Sequence, residues 1–214
     1  MMADRSRSAT DWSLPKYKAL SIDSKYLEEG ALLFRCHSRL LPTGEDQSPW
    51  YWSFGSGRFD LQTPHGTLNA AEEKTGAVLE SFSTQLVGRS WVRREEVEKR
   101  NLIALPLPYG VDLADLRSSS ALKAGVVPGE LTGAYGDYVQ TQSLAAAVFN
   151  AGRGGIAAPL RFGSAFRQDG FYLFGLAGVQ AHPIGDELEL EEAIEEIGYA
   201  IVGAPRSDAI TLLE

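Results

Sequence analysis

A chain of 214 residues with 44% hydrophobic and 22% charged residues is large enough to bury a core and ordinary enough in composition to be globular. A net charge of −8 argues against a general nucleic-acid binder, which depends on clustered Lys and Arg, but leaves room for a local basic pocket. The single cysteine excludes an internal disulfide, and no apolar stretch is long enough to span a bilayer; the cytoplasm is the expected location.

Residues 1–29 are rich in Ser, Arg and Asp and weakly periodic, so they are expected to form a tether, with Trp12 and Tyr17 able to dock on the rest. Residues 30–214 are expected to form one domain. Its first element is the apolar run Ala31–His37, the pattern of a buried strand. Pro42–Pro49 has the composition of a loop, and Phe54–Asp60 is flanked by glycines that permit a tight turn. Glu72–Leu86 carries Thr75, Val78 and Phe82 at helical spacing. Leu102–Leu107 is a second buried strand, and Asp137–Ala151 a helix stopped by Gly152. Gly155–Arg161 and Phe171–Leu176 are strand-like, Leu188–Ile197 is an acidic, solvated helix, and Tyr199–Gly203 closes with a strand. Strands and helices intermingle without regular alternation, which predicts an α+β fold rather than a doubly wound sheet.

Several chemistries are excluded by their missing motifs. No phosphate-binding Gly-x4-Gly-Lys-Ser/Thr loop occurs, and the glycines of 55–57 and 152–155 do not complete a Rossmann fingerprint. His37, His65 and His182 are dispersed and Cys36 stands alone, so no metal site is expected. No Gly-x-Ser-x-Gly elbow supports a serine nucleophile, and Cys36, inside an apolar strand, reads as an inert thiol.

Three charged residues remain of interest. Arg35 interrupts an apolar strand, and a buried guanidinium needs an anion, either a core carboxylate or a ligand. Arg58 follows Gly55 and Gly57, where missing side chains would let a ligand approach; an ordinary loop arginine is the alternative. Glu80 lies mid-helix beside Val78 and Leu79, either a boundary carboxylate or a functional one.

Their order carries more than any one of them. Phe34-Arg35, Gly57-Arg58-Phe59, Gly66-Thr-Leu-Asn-Ala-Ala71, Ala77-Val-Leu-Glu80, then Asp137-Tyr-Val-Gln-Thr-Gln142 and Gly155-Ile-Ala-Ala-Pro159-Leu-Arg161, together resemble the RES domain family over about residues 30–175. That family is known for NAD-degrading toxins of bacterial toxin–antitoxin pairs.

The resemblance implies an ADP-ribosyltransferase-like core of short strands in a split sheet with flanking helices. It also implies cleavage of the nicotinamide–ribose bond of NAD, by hydrolysis or phosphorolysis, with NAD as substrate and no metal. By it, Glu80 stabilises the oxocarbenium-like state and Arg35 and Arg58 clamp the pyrophosphate, with Cys36, Phe59, Asn69 and Leu160 completing the ligand site. Phe59, Trp50 or Trp52 would stack on a ring of the ligand.

This chain departs from the family pattern at three positions. Leu160 stands where the family's Ser is expected, Asn69 where Tyr is frequent, and Cys36 where Tyr commonly follows the first Arg; Ser164 is a candidate substitute for the lost hydroxyl. These changes keep two alternatives open: ADP-ribosyl transfer to another acceptor in a biosynthetic or modification role, and a non-catalytic NAD-binding module. The partners considered are NAD or a related dinucleotide, an antitoxin protein and a second copy of the chain, with no nucleic acid and no membrane.

Overall fold

A computed structural model describes residues 21–40, 44–131, 138–162 and 168–203. Its strands in chain order are β1 (Ser24–Leu27), β2 (Leu32–Ser38), β3 (Tyr51–Trp52), β4 (His65–Ala71), β5 (Trp91–Arg93), β6 (Arg100–Pro106), β7 (Val111–Asp115), β8 (Gly155–Pro159), β9 (Asp169–Leu176), β10 (Gly178–Val179), β11 (Glu187–Leu188) and β12 (Ala200–Val202). The helices are α1 (Lys74–Leu86), α2 (Arg94–Glu98), α3 (Ser119–Lys123), α4 (Pro128–Leu131), α5 (Val139–Asn150) and α6 (Leu190–Glu196).

Eight strands form one sheet in the order β1-β7-β8-β9-β4-β2-β6-β11, antiparallel except for β7 beside β8. The α+β expectation holds. The sheet is nearly cut in two: β4 pairs with β9 along its whole length and β2 with β6 along its whole length, whereas β2 and β4 share the single register pair Phe34↔Ala71. The sheet therefore opens beyond that pair.

Alternation along the strands sorts side chains between two faces. One face of the sheet buries Leu33, Leu105, Phe171 and Leu173 against Trp50 and Trp52. The other carries two separate cores. Tyr172 and Phe174 pack with Phe59 and with Leu144 and Val148 of α5. Ala71, Leu102 and Leu160 pack with Val78 and Phe82 of α1 and Ile194 of α6. Between these two cores the same face has room for a cleft.

The expected tether is corrected over its last residues. β1 pairs antiparallel with β7 from Ser24↔Ala114 to Leu27↔Val111, and Lys25 Nζ reaches Glu72 Oε1 at 3.0 Å and Asp169 Oδ2 at 3.7 Å. An alternation of exposed and half-buried positions on a four-residue edge strand carries too little apolar signal to stand out. Trp12 and Tyr17 lie outside the described residues.

Candidate active site

The cleft between the two cores has a volume of about 460 Å³, within the size range of small-ligand sites. β2, β4, α1, β9, the loop before Asp60 and the turn after β8 all contribute to its lining, which includes Arg35, Arg58, Glu80, Asn69, Leu160 and Tyr172. Arg35, Arg58 and Glu80, spread over 46 residues of sequence, come together at one opening.

Arg35 sits one residue past the Phe34↔Ala71 pair, where β2 has just parted from β4. Leu33 belongs to the tryptophan face of the sheet while Phe34 and Cys36 face α1, so Arg35 starts from the face opposite Glu80 and lines the cleft at the gap between the strands. Its Nη1 donates to the Tyr51 carbonyl at 3.1 Å. Burial lowers its pKa to about 10 and the Asp60 carboxylate works in the other direction, so the group stays cationic at neutral pH. No carboxylate lies within ion-pair distance of it among the described residues, which leaves a half-buried cation facing a cavity.

Arg58 is buried, 9% exposed, and held on two sides. Nη1 donates to the Leu131 carbonyl at 2.9 Å and Nη2 to the Tyr172 hydroxyl, while the guanidinium lies over the Phe59 and Tyr172 rings. The loop that presents it is built around Asp60, whose carboxylate accepts from Ser53 Oγ at 2.9 Å and from the Gly57 amide at 2.8 Å. Gln142 of α5 braces the same loop, donating to the Gly57 carbonyl at 2.8 Å and the Gly55 carbonyl at 3.2 Å. Gly55 has φ +72°, a turn conformation that favours glycine. Gly57 is small for another reason than ligand approach: a Cβ there would lie 2.6 Å from Asp60 Oδ1.

Glu80 is half-buried in the middle of α1. Its Oε1 accepts from the Phe162 amide at 3.1 Å, so the turn after β8 holds the carboxylate in place. Among the described lining residues Glu80 is the only carboxylate, against the four guanidiniums of Arg35, Arg58, Arg100 and Arg161. Arg100 is engaged by Glu96 Oε2 at 3.0 Å, and Arg161 donates to the Tyr138 hydroxyl at 3.2 Å. Such a lining suits an anionic ligand with one locally cationic centre.

The other expected residues divide. Asn69 is exposed in β4 and lines the cleft, as do Cys36 and Leu160. Burial raises the Cys36 thiol pKa to about 11, with a Ser81 hydrogen bond acting against it, so the thiol is protonated and poorly nucleophilic. Leu160 is 2% exposed and packs as part of the α1 core.

Phe59 is a correction. It is fully buried, edge-on to Tyr172 with ring centroids 4.5 Å apart, and does not line the cleft. Trp50 and Trp52 stack on each other at 5.6 Å under the opposite face and are likewise out of reach. Apolar rings beside a charged motif are first of all core. Ser164 lies outside the described residues.

Tyr138 and Gln142 belong to the Asp137–Gln142 motif without a site role expected of either, and Tyr172 is not among the residues expected from sequence. A phenol inside Phe171-Tyr-Leu-Phe-Gly was the available signal for Tyr172, because a buried tyrosine hydroxyl needs a polar partner.

Fold and site together define an α+β protein with an arginine-rich cleft, opened by a split in its sheet and holding one fixed carboxylate. The RES domain model matches residues 32–190, and the chain belongs to the RES domain family. Its fold is similar to a chain in the crystal structure of the M. tuberculosis MbcT–MbcA toxin–antitoxin complex, with TM-score 0.58 and 14% identity over 84% of this chain and 94% of that one. No curated protein sequence matches the chain. Among the described residues no helix is long and apolar enough to cross a membrane.

Proposed function

We propose that this protein cleaves the nicotinamide–ribose bond of NAD, passing ADP-ribose to water or phosphate. The observation that carries the reading is the meeting of Arg35, Arg58 and Glu80 at one cleft, with Glu80 the single carboxylate among its described lining residues. RES membership makes a dinucleotide the natural ligand for that arrangement.

The chemistry follows from charge. The pyrophosphate is anionic and suits two guanidiniums whose backbone contacts, to Tyr51 and Leu131, hold them in place before ligand arrives. The ribose gains positive charge as nicotinamide leaves, and a carboxylate beside it stabilises that state. With Oε1 of Glu80 engaged by the Phe162 amide, Oε2 has no hydrogen-bond partner among the described residues and is free for the ribose. Asn69, exposed on the cleft wall, offers an amide to a sugar hydroxyl.

The likeness to a toxin–antitoxin structure supports an antitoxin as protein partner. Incubation of purified protein with NAD, with and without phosphate, followed by chromatography of free nicotinamide, tests the reading. Release is expected, lost in Glu80→Gln while melting stays at the wild-type temperature; phosphate dependence names the acceptor. Full turnover in Glu80→Gln would remove that residue from the mechanism. NAD that binds and stays intact would favour a non-catalytic module, and a labelled third acceptor would favour transfer.

A further inference from the structure

Tyr172 sits directly across from Asn69 in the β4–β9 register, and its ring projects from the same face as Phe174 into the core beside the cleft. Its hydroxyl accepts from Arg58 Nη2, and its ring is fixed edge-on by Phe59. The backbone leaves space for it: a Cβ at Gly170 would lie 3.0 Å from the Tyr172 hydroxyl and 2.6 Å from Leu160 Cδ2.

A phenol that accepts from a guanidinium still holds its own proton, and that proton needs an acceptor. None is found among the described residues, where the hydroxyl's one hydrogen bond is the one it accepts from Arg58. Burial and the charge of Glu80 raise the phenol's pKa, which keeps the proton in place at neutral pH.

We propose that Tyr172 is a ligand-binding and positioning residue of this cleft: its oxygen locks the Arg58 fork and its proton is donated to the phosphate oxygen that Arg58 grips. Two donors then meet one anion from adjacent directions, one charged and one neutral. The assignment rests on the dinucleotide reading above.

ADP-ribose is the discriminating probe, because it keeps the pyrophosphate and has no nicotinamide bond to cleave. Calorimetry on Tyr172→Phe is expected to show ADP-ribose binding weakened about tenfold, the scale of one hydrogen bond to a charged group. The KM for NAD should rise by a similar factor with kcat nearly unchanged, and adenosine, which lacks phosphate, should bind as it does to wild type. Phenylalanine keeps the ring against Phe59, so the melting temperature is expected to hold. Combined with Arg58→Lys, the losses should fall short of additivity. Unchanged ADP-ribose affinity in Tyr172→Phe, or additive losses, overturns the role of Tyr172 while leaving the dinucleotide reading standing. A wild-type protein that binds neither ADP-ribose nor NAD overturns that reading, and this assignment with it.

Discussion

The amide of Phe162 donates to Glu80 Oε1 at 3.1 Å, joining the turn after β8 to the middle of α1, 82 residues apart in sequence. This contact fixes one oxygen of the candidate carboxylate and gives the neighbouring Leu160 a structural task. Leu160 occupies the space that side chains at Gly76 and Gly170 would otherwise need, since Cβ atoms there would lie 2.7 and 2.6 Å from its two methyls.

Leu160→Ser should therefore act first on stability. Removing a buried branched side chain and adding a hydroxyl beside the α1 core is expected to cost about 3 kcal/mol. Urea denaturation measures it. A loss well under 1 kcal/mol would mean that Leu160 serves the ligand and not the core.

Gly57→Ala tests the loop that presents Arg58. The added methyl meets a buried carboxylate that is already bound to Ser53 and the Gly57 amide, so one of those bonds has to break. A destabilisation of about 1–3 kcal/mol is expected, together with weaker dinucleotide binding. A variant as stable as wild type would show that Asp60 can turn aside freely.

Gln142→Ala removes both amide contacts to the carbonyls of Gly55 and Gly57 while leaving the α5 core untouched. Hydrogen exchange of the amides of residues 55–60 should quicken, with little change in the melting temperature. Equal protection in both proteins would assign the rigidity of the loop to Asp60 alone.

His37 gives a pH signature. Its Nδ1 donates to the Ser38 carbonyl at 2.7 Å, and burial, then the charge of Arg35, lowers its pKa from 6.5 to about 4. Between those values the unfolded chain binds a proton that the folded chain refuses. Stability should thus fall as pH drops from 6.5 toward 4 and lose no more from this residue below that, by roughly 1.4 kcal/mol per pH unit within the window. Melting curves of wild type and His37→Gln across that range would show it. Parallel pH profiles for the two proteins would overturn it.

The sequence by itself reached the α+β class, the elements with strong apolar periodicity such as Leu102–Leu107 and Asp137–Ala151, and the charged trio Arg35, Arg58 and Glu80 in its family order. Periodicity reports one face of an element, so it found β2, β6, α1 and α5 well. It missed β1 and β7, where short strands of mixed polarity draw their stability from a neighbour that local sequence does not reveal. Motif order likewise could not say which aromatic residues were core and which lined the cleft. Phe59 and Tyr172 touch each other, yet only the phenol lines the cleft and reaches Arg58, because strand register and face depend on pairings more than 100 residues apart. The cleft itself belongs to the tertiary structure alone: β2 and β4 separate after a single shared residue pair, and that divergence is where Arg35 and Asn69 come to line the same cavity as Glu80.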